Sequence, residues 1–296
     1  MEPSSPLSAV PILILGLILL AVVIGLTWAG MKYGISAMEK RRAAAKQAGS
    51  SDAEGPDDDV NGAIVPAMLG LLALLLGFTF ALAVDRFETR RGLVLEEANA
   101  IGTAYLQTQV LPQPHRERLS ALLVRYTDNR IALAAGPLTE ERRSLLAEND
   151  RTVNDIWAAT LAGFDSIKNL DMSSTFVSSI NAVIDLDTSR KTGRMAHVPE
   201  EVFWVLIVYV LVVAVIIGYI IRTRSSFYLA CVMHVLVVMS LMLIMDIDRP
   251  ASGGIRESQF PMKLLSQSMH AEPRSAYDRW RGQPVSQPSP TPAEME

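Results

Sequence analysis

The sequence predicts an all-α, polytopic membrane protein with four transmembrane helices and a helical bundle inserted between the second and the third. Three observations carry that expectation. Half of the 296 residues are hydrophobic but only 6% are aromatic, so the apolar excess is aliphatic and concentrated in a few blocks. Four of those blocks reach the roughly 20 residues that cross a hydrocarbon core of about 30 Å. Between the second and third blocks, apolar positions recur at helical spacing among charged residues, with no useful run of period two.

The first block, residues 7–28 (LSAVPILILGLILLAVVIGLTW), ends on Trp28, placed as an interfacial aromatic. No Lys or Arg precedes it, it exceeds the usual signal-peptide core of about 7 to 15 residues, and no A-x-A site closes it. Residues 1–30 are therefore read as an N-terminal segment and a retained first span. Residues 31–62 begin basic and end in GSSDAEGPDDDVNG, which reads as a polar, acidic, disordered linker. DDDVNG, residues 57–62, opens like a calcium loop, but its twelfth position is Met68 where a bidentate Glu is required. An acidic linker is the better reading.

Residues 63–86 form the second span and residues 87–198 the extramembrane helical domain. After the LPQP break, Leu119, Leu122, Leu123, Tyr126 and Leu133 share one helical face. Gly136-Pro137 ends that helix, a second pattern runs from Leu138 through Leu145, Leu146, Ile156, Leu161 and Phe164, and a third covers 176–184. Pro199, Glu200 and Glu201 open the third span (199–222), with proline in the first turn and carboxylates at the positive end of the helix dipole. RTRSS links it to the fourth span (226–246) as an antiparallel hairpin. Residues 247–270, containing DRPASGG, read as a C-terminal turn segment. The Pro-rich stretch 271–296 reads as a disordered tail.

Small residues four apart predict where helices approach closely, within the bundle or between subunits: Ala21, Gly25 and Ala29 in the first span, Ala73, Gly77 and Ala81 in the second, Ala214 and Gly218 in the third. Positive charges divide between the two sides and lean only slightly toward an outward-facing helical domain.

A net charge of −4 and a pI near 5.7 leave no broad basic face, which excludes nucleic acid as the main partner. Cys231, the one cysteine, lies in an apolar run and has no intrachain disulfide partner. The four histidines (115, 197, 234 and 270) lack metal-binding spacing, and no nucleophile elbow, Walker loop or H-E-x-x-H is present. No catalytic residue, metal or cofactor is expected, and the protein reads as a non-enzyme. His234 is the ionisable group well inside a span, where a neutral ring bonded to a neighbouring helix carbonyl competes with a functional role.

The stretch VLEEANAIGTAYL, residues 94–106, follows the second span. On a helix Glu96, Asn99, Thr103 and Gln107 share one stripe, and Val94, Ile101 and Tyr105 another. Asn181, Asp185 and Arg190 further on complete a candidate polar network with Glu96, Asn99, Thr103 and Arg125. Either these groups line a vestibule or bind an ion, or the carboxylates pair with Arg125, Arg130 or Arg190 and fix the bundle, because an unpaired buried charge costs several kcal/mol.

The second span with its continuation (LLGFTFALAVDRFETRRGLVLEEANAIGTAYL), RYTDNR at 125–130, SINAVIDLDTSR at 179–190 and MDIDRPASGGIRES at 245–258 together resemble the bestrophin-like domain family of bacterial and plant membrane proteins, over roughly residues 8–265. The layout is similar in turn to bestrophins, pentameric anion channels whose second spans line a hydrophobic neck. That resemblance implies a homo-oligomer in the lipid bilayer of the cell (inner) membrane, a pentamer passing small anions. It makes Phe78 and Phe80, or Leu74 and Leu75, the pore candidates. It does not extend to calcium gating, since Asp246 and Asp248 are too few for an acidic clasp. The alternative is a non-conducting membrane sensor or scaffold whose helical domain docks a partner.

Overall fold

The computed structural model describes residues 11–47, 57–135, 140–249, 254–271 and 274–281. These residues form eight α-helices and a short 3-10 turn, with no strand among them: α1 (Ile12–Gln47), α2 (Asp57–Thr108), α3 (His115–Ala135), α4 (Glu140–Ile167), α5 (Ser173–Met195), α6 (Glu200–Ile220), α7 (Arg224–Asp248), α8 (Phe260–Ala271) and the turn Arg274–Asp278. Four of them have the length and apolarity to cross a membrane: α1, α2, the stretch containing α6, and α7. Gly136-Pro137, most of DRPASGG, residues 48–56 of the acidic linker and the proline-rich end of the chain lie outside the described residues.

The chain divides into two compact units. The first holds residues up to Val94 together with Thr188–Ser258. Its apolar helices pack around Val23, Leu72, Leu206, Val210, Ala214 and Leu241. A second cluster gathers Ala83, Val198, Phe203, Ile244, Met245 and Ile247. Helices α1 and α6 meet backbone to backbone. A Cβ placed on Gly30 would stand 2.6 Å from the carbonyl oxygen of Val215, and one on Gly218 would strike the carbonyl of Thr27. The two backbones touch because neither helix carries a side chain there, which is how helices gain dispersion contact where lipid gives no hydrophobic drive.

The close-packed stripe is thus Val23, Thr27 and Gly30 on α1 against Ala214 and Gly218 on α6. The structure corrects the expectation of packing within the chain for Ala21, Gly25 and Ala29, and for Ala73, Gly77 and Ala81: both sets lie on exposed faces, and nothing stands within 4 Å of a Cβ on Gly25 or Gly77. Small residues mark where a helix can be approached, and only burial of the neighbouring apolar positions decides where it is.

Helix ends follow local chemistry. Pro199 caps α6 with Glu200 and Glu201 in the first turn, where the missing proline N–H costs nothing and the carboxylates oppose the dipole. Thr223 caps α7, its hydroxyl accepting from Ser226 N at 3.3 Å. At the other end of α7, Asp246 accepts from the backbone N–H groups of Gly254 (2.8 Å) and Ile255 (3.0 Å). Asp248 accepts from Val198 N at 2.9 Å. His197 Nδ1 stands 3.7 Å from the other oxygen of Asp248.

The second unit holds Leu95–Asp187 and the chain from Gln259 onward. Helix α3 buries Leu119, Leu123, Tyr126 and Leu133 as its spacing predicts. Helix α4 turns inward a more polar set, Asn149, Thr152, Ile156, Ala159, Thr160 and Gly163, while Leu146 and Leu161 stay exposed. Two segments read as unstructured are ordered. Residues 260–271, placed in the turn segment, form α8, whose Met262 and Met269 are buried two turns apart on one face. Within the stretch read as a disordered tail, Arg274–Asp278 forms the 3-10 turn. It is held by Arg116 Nη1 donating to Asp278 Oδ2 at 2.7 Å and by the edge-on contact of Tyr277 with Tyr105. Likewise α1 continues through the basic stretch to Gln47, and residues 57–62 already belong to α2.

Candidate functional site

The most concentrated polar chemistry lies inside the second unit. Tyr126 and Arg130 are four residues apart on α3, so they project from one face. Glu97 reaches them from α2, Asn149 from α4 and Asp187 from α5. Glu97, Tyr126 and Asn149 are wholly buried, and Asp187 and Arg130 are nearly so. Tyr126 Oη donates to Glu97 Oε1 at 2.6 Å and stands 3.2 Å from Asp187 Oδ1. Arg130 places Nε 3.0 Å from Glu97 Oε1 and donates through Nη1 to Asp187 Oδ1 at 3.2 Å. Asn149 Nδ2 donates to the same Asp187 oxygen at 2.9 Å. Four helices therefore meet at five polar side chains.

Burial and the neighbouring carboxylates fix the protonation states. Burial first, and then the charge of Glu97, push the Tyr126 phenol well above its ordinary value, so it stays a donor. Burial alone would pull the Arg130 guanidinium down, but Glu97, Tyr126 and Asp187 outweigh it and the net shift is upward. The phenol therefore keeps its proton and the guanidinium its charge, facing the carboxylates of Glu97 and Asp187. The chemistry of the cluster is that of a buried ion-pair lock.

One consequence is alkaline sensitivity. The folded-state pKa of Tyr126 lies above its unfolded value of about 10, so the stability it contributes is full below pH 10 and is lost as pH rises toward the folded value. Tyr126→Phe removes a donor from Glu97 and should cost about 1–3 kcal/mol at neutral pH. It should also flatten the decline above pH 10. Melting temperatures of the two proteins between pH 7 and 11 test this; parallel curves would refute it.

The residues singled out from sequence are placed differently. Glu96, Asn99 and Thr103 lie on the exposed face of α2, and Asn181 and Asp185 on the exposed face of α5. Arg125 forms an exposed ion pair with Glu148 at 2.7 Å. Arg190 is buried, but in the first unit. The arginine-paired carboxylate of VLEEANAIGTAYL is Glu97, one residue from the expected Glu96. The signal was present: Glu97 falls three residues after Val94 and four before Ile101, on the apolar stripe itself. Arg130, Asn149 and Asp187 occupy equivalent positions, four after Tyr126, seven before Ile156 and four after Val183. A polar residue at a core position is the mark of a buried network.

In the first unit, α2 presents the pore candidates. Leu74 and Phe78 are 53% and 62% exposed and lie one turn apart on a face that also carries Leu71. Phe80 is exposed too, but about 200° from Phe78 around the helix. Leu75 packs against the core cluster. Leu74 and Phe78 can face one axis together; Phe78 and Phe80 cannot. His234 on α7 is buried, with Nε2 2.8 Å from Thr27 Oγ1. That hydroxyl spends its proton on Val23 O at 2.9 Å, so the ring must donate through Nε2–H. A threonine hydroxyl takes the place expected for a helix carbonyl.

Residues 38–261 match the family model described as the bestrophin-like domain. Two crystal structures of variants of a bacterial bestrophin homologue from Klebsiella pneumoniae share this fold. One matches at 15% identity with a TM-score of 0.58 over 92% of this chain and 98% of that one. The other matches at 16% identity with a TM-score of 0.55 over 86% and 98%. No curated protein matches the chain.

Proposed function

The chain belongs to the bestrophin-like domain family, and from that premise we propose that it is an oligomeric anion channel of the inner membrane, a conductor rather than an enzyme, with α2 lining the pore. The observation that carries the reading is the uncovered apolar face of α2, where Leu71, Leu74 and Phe78 stand at i, i+3 and i+7. The opposite side of the same helix is committed to the core through Leu72, Leu75 and Leu76. Beside the uncovered face lie Gly77 and Ala81, also exposed, which let a second copy approach closely. A ring of copies turns Leu74 and Phe78 toward a common axis and builds a hydrophobic constriction of the kind that gates by dewetting. The pentameric count follows the bestrophin resemblance.

One observation favours a second reading, in which the ion is a cation. Asp85, two turns beyond Phe78 on the same face, is exposed, and rings of carboxylates select cations.

Purified protein in detergent should run as a ring-sized oligomer, and in liposomes it should release chloride. Phe78→Ala should raise the flux several-fold by widening and wetting the neck, while Phe80→Ala leaves it near wild type. Sodium release without chloride release establishes the second reading. A monomer or dimer that leaves both ions trapped refutes conduction and returns the protein to a scaffold role.

A further inference from the structure

We propose that the first unit contains a binding site for one small inorganic anion, a halide, formed by Arg90, Arg190 and Arg194. Arg90 projects from α2 and its side chain is only 3% exposed. Two of its nitrogens are engaged: Nε donates to Glu257 Oε1 at 2.7 Å, and Nη2 donates to the carbonyl of Ile247 at 2.8 Å. The third, Nη1, is buried with no hydrogen-bond partner. Leaving such a donor unmatched carries its desolvation penalty, which is larger for a charged group, so a buried guanidinium held this rigidly calls for an acceptor.

The space for that acceptor exists. A cavity of about 10 Å³ is lined by Arg90, Leu93, Val94, Arg190, Arg194 and Glu257. Arg190 is itself buried. Arg190 and Arg194 also make contacts of their own; it is Nη1 of Arg90 that lacks one. Arg90, Arg190 and Arg194 bring three guanidinium groups to the lining beside the Glu257 carboxylate, and Leu93 and Val94 keep its dielectric low, which strengthens the attraction of Arg90 for an anion. The volume admits one water-sized particle. That excludes phosphate, sulfate and carboxylates and leaves a monatomic anion, with a lone water molecule as the competing occupant.

The site is independent of whether the chain conducts, and its test uses binding. Full-length protein is purified in detergent with gluconate as the sole anion and titrated with sodium bromide, against sodium gluconate of equal ionic strength. The expected result is a saturable rise in melting temperature specific to bromide, with bromide-soaked crystals showing an anomalous peak within hydrogen-bonding reach of Arg90 Nη1. Arg194→Gln, at a half-buried position, should weaken the bromide midpoint at least tenfold while leaving the gluconate melting temperature close to wild type. Should that variant fold poorly, Arg194→Lys retains the charge and should bind with an intermediate midpoint. No bromide-specific stabilisation, an unchanged midpoint in the variants, or a water without anomalous signal at the site would each overturn the assignment.

Discussion

Arg130→Met destabilises the second unit by about 3–5 kcal/mol, the range seen when one partner of a buried ion pair is removed and the other charge stays behind. The reason is geometric. Arg130 stands within 3.0 Å of Glu97 and 3.2 Å of Asp187, and both carboxylates are almost inaccessible to water. Without the guanidinium, Glu97 retains the Tyr126 hydroxyl and Asp187 the Asn149 amide, but no positive charge of this cluster opposes either. A loss of that size is a large fraction of the 5–15 kcal/mol that holds a typical domain together.

The measurement is hydrogen exchange of α3, α4 and α5 in the full-length protein, beside the thermal melt. Protection in these helices should collapse while α6 and α7 keep theirs. The triple variant Arg130→Met, Glu97→Gln, Asp187→Asn should recover much of the loss, since neutral groups of similar shape carry a far smaller desolvation cost. A change below about 1 kcal/mol in the single variant, at the level of an exposed ion pair, would show that the lock is not one.

Gly218→Ala is expected to be the second severe change, costing about 1–3 kcal/mol by overpacking and more if α1 cannot move. Its Cβ would strike the carbonyl of Thr27, and backbone does not yield as a flexible side chain does. Separating α1 from α6 also moves Thr27, the partner of His234. Gly25→Ala is the matched control: same substitution, exposed position, nothing within 4 Å. It should leave the chain's stability unchanged or slightly higher, given alanine's better helix propensity. Thermal unfolding in detergent compares the two, and equal melting temperatures would count against the close α1–α6 contact.

These predictions rest on register, the quantity that sequence conveys least well. The spans were legible because length and hydropathy are local sums: the third span is expected over residues 199–222, and α6 runs Glu200–Ile220. Amphipathic helices with strong contrast were legible too, as α3 shows with Leu119, Leu123, Tyr126 and Leu133 all buried. Helix α8 was missed because twelve residues with two buried methionines give little periodic signal. Arg274–Asp278 was missed because its order comes from Arg116, more than 150 positions away in the chain.

The candidate network shows the same division on a finer scale. VLEEANAIGTAYL offers two adjacent glutamates, and one residue on a helix is about 100° of rotation. Glu96 therefore faces outward while Glu97 is sealed against Tyr126 and Arg130. The same rotation separates Leu74, exposed, from Leu75, packed in the core, and twice that rotation separates Gly25, exposed, from Thr27, buried.

What the sequence determined by itself was the class: an all-helical chain with four helices apolar enough to span a membrane, carrying the motifs of the bestrophin-like domain. Composition and hydropathy suffice for that, since no partner residue has to be known. Only the tertiary structure decided which carboxylate is buried, which glycines touch another backbone and which leucine is left uncovered. Each of those depends on residues distant in the chain arriving at the same place, and no local sum contains that.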